Sequence, residues 1–287
     1  MGLISMKPIL AEAQKKHYAV GAFTFSSLDS AYAIIEAANR ANMPVILQTG
    51  PLECDYADIY ALAEIARFAA KRANYPVALN LDHGDTLDRA EQAIKAGFTS
   101  IMIDASKCDY EENIRITKEA VKMAAPMGVS VEAELGKIGG AEGTLDLKEA
   151  EATQTDPMEA ADFVGRTKID ALAVAIGTAH GFYAKAPVLN IERLKNIVAA
   201  TPVPIVLHGG SGTPGDQVLE AIKNGIAKVN INTEFLAAMG KAFVECQKHE
   251  DFRYSVPSLF GPARAAGSQL AYDKIIFFAA GQDCGAK

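Results

Sequence analysis

Three of the five histidines in this chain follow short apolar runs that we predict to be buried strands. They are His83, His180 and His208, and each stands where a predicted strand passes into a loop. Imidazole is a common metal ligand, and three imidazoles with one open coordination position form a catalytic zinc-type site. One histidine in such a place is more often structural, but three at equivalent places favour a metal site. His17 and His249 are predicted to be surface residues.

Carboxylates accompany these histidines. Asp82 directly precedes His83 and could orient the metal site, cap the next helix or transfer protons. Asp85 is the better candidate for the helix cap, which leaves Asp82 for chemistry. Asp104 and Glu134 end two neighbouring predicted strands, so they could bind a second cation or hold the metal ligands from behind.

Glu132 lies two residues before Glu134, on the same face of the strand and deeper in the predicted fold. We predict that it is a buried structural partner of a lysine or of backbone amides.

A second group of residues has the composition of an anion-binding site. Glycines let backbone N–H groups face a phosphate, and the N-terminus of a helix adds partial positive charge. Glycine follows His180, and a Gly-Gly-Ser-Gly run between His208 and a predicted helix comes after the seventh strand, where barrels commonly bind phosphate. The candidates are Gly181, Gly209, Gly210, Ser211, Asn230, Asn232 and Thr233.

The alternation of short Val-, Ile- and Ala-rich runs with amphipathic helices predicts eight βα units. The fold class is therefore α/β, a single (β/α)8 TIM barrel. One helix is predicted over Asp55–Arg72, and an excess of about 15 residues after the fifth strand indicates a functional loop. The predicted strands are Tyr18–Phe23, Met43–Gln48, Pro76–Leu81, Thr99–Ile103, Gly128–Ala133, Ala171–Ile176, Val203–Leu207 and Ala227–Ile231.

Extra helices are predicted at both ends of the barrel. An N-terminal helix over Ile4–Lys16 would close its bottom, and C-terminal helices would cover Thr233–Gln247 and Ser255–Phe278. The 287 residues are close to the roughly 250 of one such barrel, so we predict a single domain over residues 1–287.

Composition and charge exclude several classes of partner. The net charge of −7 argues against a general nucleic-acid or anionic-membrane surface, although a local pocket could still bind an anionic substrate. No apolar run reaches the roughly 18 residues of a membrane span, and no signal-peptide pattern is present. The four cysteines lack CxxC spacing, which suits a reducing compartment. We therefore expect a cytoplasmic protein with a small-molecule substrate.

The residues leave the reaction open. A Lewis-acid metal beside a phosphate site can polarise a carbonyl and stabilise an enediolate. The same arrangement could serve isomerisation or epimerisation of a phosphosugar, or hydrolysis by a metal-bound hydroxide. A non-enzymatic binding barrel would require a broken site, and the acid and the three histidines are all present here.

Six motifs, in one order along the chain, resemble those of the class II, metal-dependent ketose-bisphosphate aldolases. That family includes the fructose-1,6-bisphosphate and tagatose-1,6-bisphosphate enzymes. The likeness runs from Met6 to Phe243 and is very specific for the family. The motifs are N-L-D-H-G, M-I-D-A-S, V-E-A-E-L-G-K-I-G-G-A-E, A-I-G-T-A-H-G, V-L-H-G-G-S-G and K-V-N-I-N-T-E.

The resemblance implies a set of metal ligands. His83, His180 and His208 would bind the catalytic zinc, and Asp104 and Glu134 would line a second divalent site or an alternative zinc position. Zinc would hold the C2 oxygen and C3 hydroxyl of dihydroxyacetone phosphate as an enediolate, so no Schiff-base lysine is needed.

The resemblance also implies the groups that move protons and hold the phosphate. Asp82 would shuttle the proton of the C4 hydroxyl. Glu142, in the loop after the fifth strand, would exchange the proton at the carbon of dihydroxyacetone phosphate that forms the new bond, a function that the sequence alone would not select. A sodium or potassium ion often lies near the phosphate. The phosphate ligands would be Gly181, Gly209, Gly210, Ser211, Asn230, Ile231, Asn232 and Thr233.

Departures from the family fall on the aldehyde side. Gly50 stands where a serine is frequent, and Thr24 and Ser27 replace amides after the first strand. Arg253 and Arg264 are the nearest candidates for the arginine that usually binds the distal phosphate. We therefore hypothesise, beside cleavage of fructose 1,6-bisphosphate, an aldolase whose aldehyde product is not glyceraldehyde 3-phosphate.

Three sugars remain open. Asn232 matches the fructose-bisphosphate pattern better, since tagatose enzymes tend to carry alanine there. A tagatose 1,6-bisphosphate or a phosphorylated sugar acid of another pathway are the alternatives.

The family's members form dimers or tetramers, so a homo-oligomer is expected. Four aromatic residues of the predicted terminal helices are candidates for the interface or for packing against the barrel. These are Phe235, Phe243, Phe277 and Phe278.

Overall fold

The computed structural model describes residues 2–136, 154–178, 186–249 and 252–279. Eight parallel strands pair in chain order and close into a barrel, because β8 pairs with β1. The predicted (β/α)8 barrel is therefore confirmed. The strands are β1 Val20–Thr24, β2 Val45–Thr49, β3 Val77–Gly84, β4 Ser100–Ile103, β5 Ser130–Leu135, β6 Ala171–Val174, β7 Ile205–Leu207 and β8 Ile226–Ile231.

Eleven α-helices lie within the described ranges, and most of them cover the outside of the barrel. None of these helices is long and apolar enough to cross a membrane. They are α1 Met6–Lys16, α2 Leu28–Ala41, α3 Pro51–Ala57, α4 Ile59–Ala70, α5 Leu87–Ala96, α6 Tyr110–Ala124, α7 Pro157–Thr167, α8 Ile191–Ala200, α9 Gly215–Lys223, α10 Thr233–Cys246 and α11 Val256–Phe278.

Helix α1 closes the amino-terminal end of the barrel, as predicted. Ser5 caps this helix, and its buried face includes Met6 and Leu10, both with 0% exposure. The backbone N–H of Met6 donates to Ser100 Oγ at the start of β4, 3.0 Å away. The helix packs on a layer of inward-facing apolar residues from six strands, Val20, Ala22, Ile46, Ala78, Ala171, Ala173, Val206 and Ala227.

The single helix predicted over Asp55–Arg72 is wrong, since the structure has two helices there. Helix α3 ends at Ala57, and the backbone at Asp58 takes a φ of 67°, which breaks the helical path. The side chain of Asp58 then accepts hydrogen bonds from the backbone N–H groups of Tyr60 and Ala61 and so starts α4.

The cap predicted for α5 is also wrong. Thr86 is the N-cap residue, and its hydroxyl accepts from the backbone N–H of Arg89, 3.1 Å away. Asp85 is exposed and instead accepts from the Arg89 guanidinium at 2.7 Å.

The C-terminal helices pack against the barrel and against one another. Helix α11 lies between α2 and α10, and it also contacts β1. Phe235 and Phe278 are buried in the core, and Phe235 stacks obliquely on Phe23 with ring centroids 6.0 Å apart. Of the four aromatic residues considered for an interface, only Phe243 and Phe277 are partly exposed.

Candidate active site

Strand β3 carries an acid and an imidazole to the carboxyl-terminal mouth of the barrel. The strand continues through Asp82 and His83 to Gly84, further than predicted. Its pairing with β4 shifts between Leu81 and Gly84, and His83 takes a φ of 46°. This irregularity directs two successive side chains into one pocket, whereas a regular strand would direct them to opposite faces.

The carboxylate of Asp82 is held by amide groups from two other strands. Gln48 Nε2 on β2 donates to Asp82 Oδ2 at 2.9 Å, and Asn230 Nδ2 on β8 donates to Asp82 Oδ1 at 3.0 Å. Both amide side chains are buried, while Asp82 is partly exposed. Each amide donates to a different carboxylate oxygen, so the site presents an oriented carboxylate.

His83 and His208 face each other at the centre of the site. His83 Nε2 and His208 Nδ1 are 2.9 Å apart, and the rings meet edge to face with centroids separated by 4.6 Å. The outer nitrogen of each ring contacts a carboxylate. His83 Nδ1 lies 2.8 Å from Asp104 Oδ2, and His208 Nε2 lies 2.9 Å from Glu132 Oε1.

Carboxylates control the protonation of this pair. Burial alone would lower the pKa of His83, but Asp82, the hydrogen bond to Asp104 and the charge of Glu134 outweigh it and raise that pKa to about 9. Burial lowers the pKa of His208, despite its hydrogen bond to Glu132. The raised pKa favours the charged form of His83, whose Nε2–H can then donate to His208 Nδ1.

Asp104 is held in its ionised form. Burial would raise the pKa of its carboxyl, but the hydrogen bonds from His83 and Ser106 outweigh this and keep the pKa well below its usual range. Ser106 donates from both its hydroxyl and its backbone N–H to Asp104 Oδ1, at 2.7 and 3.1 Å.

Glu132 occupies the barrel interior below the histidines. Its Oε2 accepts from Lys228 Nζ at 2.7 Å, and all three of Glu132, Lys228 and His208 have 0% exposed area. Burial opposes ionisation, but Lys228 and His208 outweigh it and lower the pKa of Glu132 to about 2. The predicted buried pairing of Glu132 with a lysine is confirmed, and the lysine is Lys228.

The donor set fits a divalent cation. Two overlapping groups, Asp82–His83–His208 and His83–Asp104–Glu134, each bring their ligand atoms within 4.8 Å of one another. Imidazole and carboxylate ligands suit zinc and related transition metals. The outer nitrogens of both imidazoles are bound to carboxylates, which is the usual orientation of metal-binding histidines.

The loop after β7 has the tight backbone expected of an anion site. Gly209 has a φ of 66°, and a Cβ on Gly210 would lie 2.6 Å from Val229 Cγ1. The backbone N–H of Gly212 donates to Glu234 Oε1 at 2.6 Å, and Glu234 pairs with Lys274. Gly212 is thus bound within the protein. Ser211 Oγ in the same loop accepts from the backbone N–H of Glu234 at 3.4 Å.

The end of β8 supplies the remaining phosphate candidates. Asn232 precedes α10 without capping it, and its buried Oδ1 has no hydrogen-bond partner among the described residues. Thr233 is the first residue of that helix. The side chain of Ile231 is fully buried in the core, so only its backbone could contact a ligand.

Three predicted site residues, Glu142, His180 and Gly181, lie outside the described residues. The structure brings together Asp82, His83, Asp104, Glu134 and His208. Sequence reasoning missed Gln48 as a partner of Asp82. A polar residue near the end of the apolar run of β2 was the available signal.

Two of the residues predicted to lie on the aldehyde side make contacts of another kind. A Cβ on Gly50 would lie 3.5 Å from the carbonyl oxygen of Asp82, and the Gly50 N–H donates to Glu53 Oε2 at 3.0 Å. Arg264 pairs with Glu36 on the outer helix α2 instead of facing the barrel mouth.

The fold and this cluster define a class of protein, a (β/α)8 barrel with a candidate divalent-metal centre at the carboxyl ends of its strands. The sequence profile described as "Fructose-bisphosphate aldolase class-II" matches residues 4–282. The chain belongs to this family, whose members use a divalent metal.

Relatives and solved structures agree with this assignment. The fructose-bisphosphate aldolases of Staphylococcus epidermidis and Staphylococcus aureus are each 40% identical over 278 residues, which is 96% of both chains. The YdjI aldolase of Escherichia coli K12 superposes with a TM-score of 0.87 at 36% identity, over 99% of this chain and 100% of that one. A putative fructose-1,6-biphosphate aldolase from Coccidioides immitis has a TM-score of 0.84 at 31% identity, over 96% of each chain.

Proposed function

We propose that this chain catalyses the metal-dependent, reversible aldol cleavage of a ketose 1,6-bisphosphate. Fructose 1,6-bisphosphate is the best candidate, and the products would be dihydroxyacetone phosphate and glyceraldehyde 3-phosphate. The observation that carries the proposal is the Asp82 carboxylate, fixed by two amides directly beside the facing imidazoles of His83 and His208. Family membership supports the same reaction.

Zinc is the proposed metal, held by His83, His180 and His208. Asp104 and Glu134 would line a second divalent site or an alternative zinc position. When bound, the cation supplies a Lewis acid that polarises the ketone of the substrate.

The protein's own groups would move the protons. In cleavage, Asp82 takes the proton of the C4 hydroxyl while the C3–C4 bond breaks, and the C4 oxygen becomes the aldehyde carbonyl. The electron pair of the broken bond stays on the ketone half, which Glu142 then protonates to give dihydroxyacetone phosphate. Gln48 and Asn230 orient Asp82, since each donates to a different carboxylate oxygen.

The phosphate of the ketone half would bind between the loops after β7 and β8. Gly209, Gly210 and Ser211 would bind it from the loop after β7, and Asn230, Ile231, Asn232 and Thr233 from the end of β8, with Gly181 as a further proposed ligand. A sodium or potassium ion beside the phosphate would offset its charge. The unpartnered Oδ1 of Asn232 is an oxygen that such a cation could use.

A second candidate is an aldolase with a different aldehyde product. Gly50 supports it, since this residue lies against the backbone of Asp82 and carries no hydroxyl with which to bind a distal phosphate. Tagatose 1,6-bisphosphate and phosphorylated sugar acids are the alternative substrates.

We further propose a single domain over residues 1–287, a cytoplasmic location and a homodimer or homotetramer. The reducing-compartment pattern of the cysteines supports the location. The described Cys54, Cys108 and Cys246 form no disulfide. The family supports the oligomer.

The test is a cleavage assay on purified protein with fructose 1,6-bisphosphate and, separately, tagatose 1,6-bisphosphate. Release of triose phosphate would be followed through a coupled step that consumes NADH, with EDTA and then with added zinc. We expect cleavage that EDTA abolishes and zinc restores, and the ratio of the two rates identifies the sugar.

Other outcomes separate the alternatives. Interconversion of phosphosugars without triose phosphate would indicate a metal-dependent isomerase or epimerase. Zinc-loaded protein that cleaves neither sugar would favour the altered aldehyde, to be found by condensing dihydroxyacetone phosphate with a panel of aldehydes. Full activity in metal-free protein would contradict the proposal.

A further inference from the structure

A buried chain of charge runs across the barrel interior beneath the metal-binding cluster. Lys228 on β8 donates to one oxygen of Glu132 on β5, and the other oxygen of Glu132 contacts His208 Nε2 just after β7. The distances are 2.7 and 2.9 Å, and none of the three residues has any exposed area. Because all three residues are fully buried, their hydrogen bonds to one another are strengthened by the low dielectric of the interior.

This arrangement decides which nitrogen of His208 carries the hydrogen. The Lys228 ammonium can only donate, so it keeps the Glu132 carboxylate charged and restricted to accepting. The carboxylate therefore requires a hydrogen on His208 Nε2, which leaves the lone pair of a neutral ring on Nδ1. Nδ1 is the nitrogen that faces His83 Nε2, and it lies 3.6 Å from Glu134 Oε2.

The Glu132–Lys228 pair contacts a residue of the site, His208, and so does more than fill the core. The interior below it is already closed by apolar residues and by a buried Ser100–Ser130 contact of 2.7 Å. Asp104 contacts His83 Nδ1 in the same way that Glu132 contacts His208 Nε2. Both imidazoles thus have an outer nitrogen bound to a carboxylate and an inner nitrogen turned toward the other ring.

We propose that Glu132 and Lys228 are positioning residues that hold His208 with its Nδ1 lone pair directed at a divalent cation. The inference rests on the proposed function only in taking His208 as a metal ligand. Glu132 acts through His208, and Lys228 acts through Glu132 by keeping that carboxylate an acceptor.

The experiment compares zinc affinity in the full-length protein and three variants by competition with a chromophoric chelator, without substrate. In Glu132→Gln, the amide carbonyl would turn to Lys228 and present its NH2 to His208 Nε2, which favours the wrong tautomer. We expect zinc affinity to fall about 10- to 100-fold and the visible spectrum of the cobalt-loaded protein to change.

The double variant Glu132→Gln/Lys228→Met makes the test specific. Without the ammonium, the amide carbonyl can again accept from His208 Nε2, and no lone buried charge remains to prevent folding. We expect the double variant to recover most of the zinc affinity and the wild-type cobalt spectrum. The double variant also removes a lone buried charge and should be more stable than the single one, so the melting temperatures of both variants are measured alongside. Return of the wild-type cobalt spectrum, which reports the geometry of the ligands, is the result that a structural function alone would not produce.

Ser130→Ala is the matched control, because it removes a buried polar contact of the barrel interior that touches no histidine. It should lower the melting temperature and leave zinc affinity unchanged. A Glu132→Gln affinity within about twofold of wild type, or a double variant no better than the single one, would overturn the inference. Absence of aldol cleavage would count against the proposed function alone, since these measurements need no substrate.

Discussion

Asp82 gains its orientation from strands other than its own. Gln48 and Asn230 each donate to one carboxylate oxygen, so rotation of the carboxylate would break two hydrogen bonds. A proton acceptor fixed in this way loses little freedom when substrate binds. The side chain is still partly exposed, which leaves it accessible to a ligand.

Replacing Asp82 with alanine should therefore remove the proton step and spare the metal. We expect Asp82→Ala to lower kcat by about 10²- to 10⁴-fold in the triose phosphate assay. Zinc content, measured by elemental analysis of the purified protein, should stay at the wild-type level because the histidines remain. Loss of zinc together with activity would make Asp82 a ligand and would contradict its function in proton transfer.

Asp88→Asn is the control for this prediction. Asp88 is an exposed acid in the first turn of α5, only six positions from Asp82. Its substitution should leave both kcat and zinc content unchanged.

Residue types predicted which residues form the site better than they predicted which of these residues contact one another. Glu132 was predicted to be a buried partner of a lysine, and Lys228 is that partner. The contact of Glu132 with His208 was not predicted, because it joins β5 to the end of β7 across the interior. Distances across the barrel depend on how the sheet closes and on how steeply its strands tilt, and the periodicity of apolar residues in the sequence encodes neither. Glu142 and His180 stay predictions.

The irregular end of β3 is the element on which the site depends. Gly84 allows the strand to approach β4 closely, since a Cβ there would lie 2.6 Å from the carbonyl oxygen of Met102. His83 precedes this glycine in a left-handed conformation that histidine tolerates better than most residues. The backbone conformation at Gly84 therefore also sets the positions of Asp82 and His83, the two site residues just before it.

Gly84→Ala should move β3 away from β4 and disturb the site. We expect a loss of about 1–3 kcal/mol in the free energy of unfolding, since the added methyl group meets backbone. Zinc affinity should fall as well, because His83 and Asp104 stand on the two strands that separate. Chemical denaturation and chelator competition would measure the two effects.

Gly165→Ala provides the comparison at the level of an element. Gly165 lies on the exposed face of α7 with nothing within 4 Å of its missing Cβ. Alanine there should be neutral or stabilise the helix by about 0.5–1 kcal/mol. Equal stability of the two glycine variants would contradict the account of the strand end.

Helices and strands were predicted well where the spacing of apolar residues and the positions of capping residues indicate the same element. Their ends were predicted less well. The α3–α4 break was missed because apolar spacing continues across Asp58, and neither glycine nor proline marks the turn. The end of β3 was predicted to be a loop because its residues are polar. Gly84 nonetheless pairs with Ile103 of β4. Such pairing depends on the neighbouring strand, so the residues of β3 alone do not predict it.

The barrel as a whole is closed by its first and last strands and covered below by α1. β1 pairs with β8, and α11 packs on both α2 and β1. Early and late parts of the chain therefore share one core, and few elements could unfold alone. The eight-unit pattern was predictable because each unit repeats the same alternation of buried strand and amphipathic helix.

A substitution at the amino-terminal end of the barrel should thus lower the stability of the whole molecule. Leu10→Ala removes a side chain of α1 with 0% exposure, and we expect the free energy of unfolding to fall by about 2–5 kcal/mol. Scanning calorimetry should show one transition that moves to lower temperature as a unit. Zinc affinity should not change, because the cavity lies at the end opposite the site.

Leu52→Ala is the control, since Leu52 is 78% exposed on α3. Its substitution should leave the temperature of the unfolding transition unchanged. Two separate transitions in the wild-type protein would contradict a single cooperative domain.

The Glu132–Lys228 pair also limits the routes by which this barrel can change over evolutionary time. Replacement of either residue alone leaves a charge in a dry interior, which costs about 3–5 kcal/mol, whereas joint replacement by apolar residues can be neutral. Descendants that lose the pair must therefore change two strands together or first gain stability elsewhere. Exposed surface positions, such as Leu52 on α3, can change one at a time.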